Sequence, residues 1–245
     1  MRLLYKFRST KFLIDELANN ELYFADLEEL NDPMESFKNI VWQGDEVLWC
    51  NLFNHYLLCL DFIHAWFYFG KNKDFTINDI PIFNTVDDLP GDMNKEMFKF
   101  TQNIFFENFE IRKIARLLAQ KREPIQKEEL IYYLSEIHYL ALAAIKYTYK
   151  KYNIYPFAIT LKKVNERKIS KNIKNIIKDS NRKKLCTKQI KAFVITLSKD
   201  LAKKREIVQQ KKFLDNESKL NNANKFMYFD YPMLFIERLQ DLMYP

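Results

Sequence analysis

Glycine is nearly absent from this chain, with 3 residues in 245. Glycine adopts positive φ without strain, so its scarcity argues against Gly-rich phosphate loops and against hairpin-rich β folds. Cysteine is as sparse: Cys50, Cys59 and Cys186 are odd in number and build no disulfide framework. Such a set suits a reducing compartment. A secretory leader is also lacking, because Leu3 and Leu4 are followed at once by Lys6 and Arg8. The expected location is therefore the cytoplasm. The longest apolar run, Val47 to Phe69, approaches the length of a membrane span, but Asn51, Asn54, Asp61 and His64 interrupt it along one helical stripe. It reads as a buried helix of a soluble protein with one polar edge, and no membrane partner is expected.

Apolar and charged residues fill the space. Hydrophobic residues make up 48% and aromatics 16%, enough for a real core at this length and too much for disorder throughout. The net charge of +7 is unevenly spread. Lys151 to Lys212 holds 19 basic against 4 acidic residues, a local +15, and the remainder carries −8. A basic segment beside an acidic body points to an anionic partner or to docking on the body itself.

The periodicities predict a mostly α fold with a small N-terminal α+β element, the helical bundle being inserted after two short strands. The strands are Leu3 to Phe7 and Glu21 to Ala25, with a helix between them that Ser9 or Thr10 can cap. Three segments follow: residues 1–43 as the strand–helix–strand element with its Asn31-Asp32-Pro33 turn, 44–156 as the bundle, and 157–245 as a basic helical segment with a terminal helix. They are expected to form one structural unit. Within the bundle a helix should begin at Gly44-Asp45 and end near Gly70, and Ile80 to Phe83 reads as a short extended piece. Asp92 should cap a helix reaching about Arg122, and Pro124 should open the next, whose Leu130, Leu134, Ile137, Ala141 and Ile145 share a face. A short strand is expected at 157–164, helices at about 168–179 and 186–213, and a last helix from Met233 to Leu242 after Pro232.

Polar side chains crowd the two N-terminal strand ends, where a core has no use for them. The Arg8 guanidinium offers a two-pronged donor for phosphate or carboxylate, or else an ion pair to Asp32 or Glu35. Ser9 can touch a ligand or cap the helix. Asn31 and Asp32 form either a polar wall or a rigid turn with Pro33. Glu35 is the candidate catalytic carboxylate, suited to general-base work or to polarising a ribose hydroxyl, with a plain ion pair as the alternative. Tyr5 and Tyr23 can stack on a base or pack in a core.

Elsewhere, His55 and Cys59 lie four apart on one helix face, but two ligands do not make a metal site, and no metal is expected. His138, alone among apolar residues, reads as a hydrogen-bonded core histidine. In the basic segment, Lys171, Lys174 and Lys178 line one face, and Arg182, Lys183, Lys184 and Lys203, Lys204, Arg205 are clustered. These are candidates for salt-dependent contacts to nucleic acid, or a solvated helix face. Few aromatics are interleaved, so base stacking is not indicated.

The pieces Leu4-Tyr5-Lys6-Phe7-Arg8-Ser9, Glu21-Leu22-Tyr23-Phe24 and Asn31-Asp32-Pro33-Met34-Glu35 resemble the opening of a bacterial family filed as "domain of unknown function twenty-nine seventy-one". The resemblance covers roughly the first 37 residues. The family's second signature, a W-x-H-Y step in a strand-rich half, has no counterpart here, and the end at Tyr244-Pro245 reads as a truncated or split frame, with the other half missing or supplied by a second chain. The layout is also similar to the entry of ADP-ribosyltransferase folds, where a basic residue at the first strand's end helps hold NAD. That places Arg8 in that role, and NAD is the cofactor this resemblance implies. The expected function is the N-terminal part of a nucleotide- or NAD-handling enzyme. The alternative is a non-catalytic helical protein that binds nucleic acid or another polyanion through 151–212. A role in bacterial defence or toxicity suits either.

Overall fold

The computed structural model describes residues 40–70, 75–121, 124–166 and 225–243, all within one compact unit that begins at Ile40. The architecture is mostly α with a two-stranded antiparallel β element. Strand β1 (Val41–Trp42) pairs with β2 (Ile125–Gln126), Val41 opposite Gln126 and Trp42 opposite Ile125. The expected strands at 3–7 and 21–25 and the helices at 168–179 and 186–213 lie outside the described residues.

Helix α1 (Glu46–Phe69) starts where the sequence indicates. The Asp45 side chain accepts from the Leu48 amide at 2.8 Å and so satisfies a donor of the first turn. Gly70 closes it, its amide donating to the Trp66 carbonyl at 2.8 Å. A Cβ at Gly70 would stand 2.3 Å from that carbonyl oxygen, which is why one of the rare glycines is needed here. The polar edge runs from solvent into the core: Asn51 is exposed, Asn54 accepts from Gln102 Nε2 at 2.9 Å, and Asp61 and His64 are buried. No helix among the described residues is long and apolar enough to cross a membrane.

Residues 75–90 carry two short 3-10 turns, Ile77–Asp79 and Val86–Asp88, and the expected extended piece between them, Ile80 to Phe83, forms a bend and turn rather than a strand. Asp79 and Asp88 reach back to the amides of Thr76 and Thr85, and this reciprocal capping favours a turn over a strand. Two helices stand where one was expected: α2 (Gly91–Glu107) and α3 (Phe109–Ala119). Pro90, not Asp92, is the residue at the start of α2, and Gly91 takes φ +75° there. Asn108 makes the break. Its Oδ1 accepts from the Glu110 amide at 2.9 Å and its Nδ2 donates to the Val164 carbonyl at 3.3 Å, so its side chain replaces helix continuation.

Pro124 precedes β2 rather than opening a helix, and α4 (Lys127–Lys151) begins after the strand. The predicted face Leu130, Leu134, Ile137, Ala141 and Ile145 is fully buried. The expected strand at 157–164 is absent: the chain is irregular to Thr160 and then forms α5 (Leu161–Glu166). A π-helical turn, Phe226–Asp230, leads directly into α6 (Tyr231–Met243). Helix α2 packs on α4, α3 on α1, and α6 on α4, with the π turn against α1. Phe53, Tyr56, Tyr231 and Phe235 are fully buried, and the Tyr56 ring stands edge-on to those of Tyr231 and Phe235.

Candidate functional site

The last three turns of α1 present Asp61, Phe62, Ala65, Trp66 and Phe69 to one side, as helical spacing dictates. The other walls are Leu89 and Pro90, Asn94 and Met97 from the start of α2, Tyr149 near the end of α4 and Ile154 just past it. Between these walls lies a cleft of about 590 Å³. Trp66 and Phe69 are 41% and 58% exposed and form its rim.

The end of α4 is shaped by a left-handed cap. Asn153 takes φ 56°, its amide donates to the Lys150 carbonyl at 3.1 Å, and the Ile154 amide donates to the Tyr149 carbonyl at 2.9 Å. This pair of bonds turns the chain back and brings Ile154 beside Tyr149 in the cleft wall. Asparagine does here what glycine does in most chains, since its side chain tolerates the left-handed region.

Asp61 is the charged residue of the described lining. It is 7% exposed and the Tyr149 hydroxyl donates to it, while its Oδ1 has no hydrogen-bond partner. Burial raises its pKa from 3.8 to about 7, and the Tyr149 bond opposes the rise. Tyr149 is itself held protonated by burial and by the Asp61 charge. One turn on, His64 is fully buried with neither ring nitrogen bonded. Its ring packs against Tyr68 at 4.6 Å, edge-on to Tyr149 at 5.0 Å and against Phe157 at 5.7 Å. Burial, and then the Lys146 charge, keep it neutral. Three orphan polar atoms within one helical turn are a concentration of unmet hydrogen bonding that a core does not require.

Nearby polar groups are otherwise engaged. Lys146 donates to the Tyr228 hydroxyl at 2.8 Å and lies over the rings of Phe157 and Tyr228. Cys59 stands 3.6 Å from His55 Nε2 and donates to the Pro81 carbonyl. Burial pushes its thiol up to about 12, so it is no nucleophile. No group of three or more metal-ligating side chains occurs among the described residues.

The sequence-based site residues Tyr5, Arg8, Ser9, Tyr23, Asn31, Asp32 and Glu35 lie outside the described residues, as do Lys171, Lys174, Lys178, Arg182, Lys183, Lys184, Lys203, Lys204 and Arg205. Asp61 and His64 were legible only as a polar edge of α1. The available signal was an acidic residue inside the run Tyr56 to Ile63, which is otherwise apolar. Tyr149 carried no signal of its own. Compared with known proteins, the chain matches no family model, no curated protein and no solved structure.

Proposed function

We propose that the helical unit binds a small, largely apolar organic molecule in the cleft between α1, α2 and the end of α4. The observation that carries this reading is Asp61, a buried carboxylate with one unpartnered oxygen in a cavity walled by Trp66, Phe69, Phe62 and Tyr149. Leaving such a group unpaired costs stability, and binding sites are where such costs are retained. The volume falls in the range of small-molecule sites. N-phenyl-1-naphthylamine, a neutral dye that brightens in apolar surroundings, tests it. Saturable binding is expected, weakened about tenfold or more (~1.4 kcal/mol) by Ala65→Trp, which fills the cleft. Absence of saturable binding, or equal binding by a folded Ala65→Trp variant, overturns the reading.

A second reading rests on the +15 charge of residues 151–212. This segment would engage nucleic acid or another polyanion through its lysines and arginines. Affinity for duplex DNA or RNA should fall steeply with salt, and replacing Lys203, Lys204 and Arg205 by Gln should shallow the log–log salt slope by about one for each phosphate no longer neutralised. No binding near physiological ionic strength would remove it. The nucleotide-handling role of Arg8 and Glu35 is supported by the polar cluster at the expected N-terminal strand ends and by the family resemblance. Titration with NAD tests it, with Arg8→Ala expected to abolish the heat of binding.

A further inference from the structure

We infer that the cleft selects a hydrophobic organic ammonium, its nitrogen against the Asp61 carboxylate and its apolar body between Trp66, Phe69 and Met97. This rests on the small-molecule reading above and adds the chemistry of the ligand.

Charge bookkeeping within the lining is the first support. Among the described residues around the cleft there is no lysine, arginine or histidine, so nothing on its walls balances an ionised Asp61. Tyr149 from α4 already donates to that carboxyl, Asn94 from α2 shares the cleft lining with it, and His64 lies one turn along α1 outside the lining. Asn94 donates to the Pro90 carbonyl, and His64 is neutral. The nearby cation, Lys146 on α4, is committed to the hydroxyl and ring of Tyr228 and to the ring of Phe157. An incoming ammonium supplies the missing charge. A neutral alcohol brings no charge, and an anion is repelled.

The aromatic walls are the second support. Phe62, Trp66, Phe69 and Tyr149 bring four π systems to one cavity, and Phe69 and Tyr149 lie nearly parallel with centroids 6.2 Å apart. Ring faces attract cations most strongly where water is scarce. A carboxylate in the lining of an aromatic cavity therefore favours an organic cation over an inorganic one, whose hydration shell these walls cannot replace.

Two probes of matched shape test the inference, 2-(1-naphthyl)ethylamine and 2-(1-naphthyl)ethanol, titrated by calorimetry at pH 8. The amine should bind at least about tenfold more tightly (~1.4 kcal/mol). Its affinity should rise between pH 6 and pH 8 as Asp61 loses its proton, while that of the alcohol stays level. Asp61→Asn should bring the two affinities to within about twofold by weakening the amine alone. Equal affinities in the natural chain, or an amine preference that survives in Asp61→Asn, overturn the inference and leave the small-molecule reading standing. If neither probe nor the naphthylamine dye binds, that reading falls and takes this inference with it. The probe comparison on the natural chain decides the matter even if the variant does not fold.

Discussion

The Tyr56 hydroxyl stands 2.7 Å from Nδ1 of His138, and on the far side of the ring Nε2 stands 2.8 Å from the Met227 carbonyl. A carbonyl only accepts, so Nε2 carries the proton and Nδ1 accepts from Tyr56. One buried imidazole thus joins α1, α4 and the π turn before α6. The Met227 carbonyl, displaced from the α-helical pattern, finds its partner in a side chain.

Removing one partner should expose the cost of an unmet bond. Tyr56→Phe keeps the ring contacts with Tyr231 and Phe235 and leaves His138 Nδ1 unbonded. The expected loss is about 1–3 kcal/mol, read as a lower urea midpoint with an unchanged m-value. No change in midpoint would show that the Tyr56–His138 bond contributes nothing.

Acid should destabilise the fold through the same imidazole. Burial pushes the His138 pKa down from 6.5 to about 4, with the Met227 bond opposing. Between those values the unfolded chain binds the proton and the folded chain does not. The contribution of this group is therefore complete above pH 6.5 and is lost as pH falls toward 4, by about 3 kcal/mol. Burial lowers His55 and His64 in the same direction. Urea midpoints at pH 7, 5.5 and 4.5 in the Asp61→Asn background, which removes the opposing titration of Asp61, measure the loss, and a His138 ring signal titrating near 6.5 in the folded protein would contradict it.

Asp61 should act with the opposite sign. Its pKa is raised from 3.8 to about 7, so the folded state holds its proton more tightly. The associated stability is present below pH 3.8 and lost as pH rises through 7. Asp61→Asn cannot ionise and still accepts from Tyr149. It should be more stable than the natural chain by a few kcal/mol at pH 8, and the gap should close toward pH 4. Thermal unfolding at both pH values checks this, and a destabilised variant at pH 8 would refute it.

A third polar device is structural. Lys121 Nζ donates to both Glu129 carboxylate oxygens at 2.7 Å, and Tyr133 donates to the same carboxylate. The side chains of Lys121 and Glu129 are 6% and 2% exposed, so solvent cannot compensate the loss of either. Lys121→Met alone should cost about 3–5 kcal/mol by stranding the carboxylate. Adding Glu129→Leu should recover much of it. A double-mutant cycle in urea reads the pairwise term, and additive losses would mean that the pair is not coupled.

Helix was legible in the sequence wherever a local signal was strong. Asp45 capping α1, Gly70 ending it and the buried stripe from Leu130 to Ile145 follow from spacing and backbone chemistry alone. His138 as a hydrogen-bonded core residue was legible because buried imidazoles are in most cases paired, His64 being the exception here. The break at Asn108 was not, since its Nδ2 partner, the Val164 carbonyl, is 56 residues away. The strand expected at 157–164 failed for a different reason: short apolar runs do not distinguish strand from helix.

By itself the sequence determined a helical fold with little β structure, because scarce glycine and long apolar periodicities admit few alternatives. It also determined where α1 begins and ends, because caps act over three or four residues. Only the tertiary structure decided that Asp61 would be buried beside Tyr149, 88 positions further along, in a cavity shared by α1, α2 and the end of α4. Spacing along one helix places a carboxyl on a face. Whether that face meets water or an aromatic wall depends on which distant helix covers it, and that covering is what shifts its proton affinity and makes it a site.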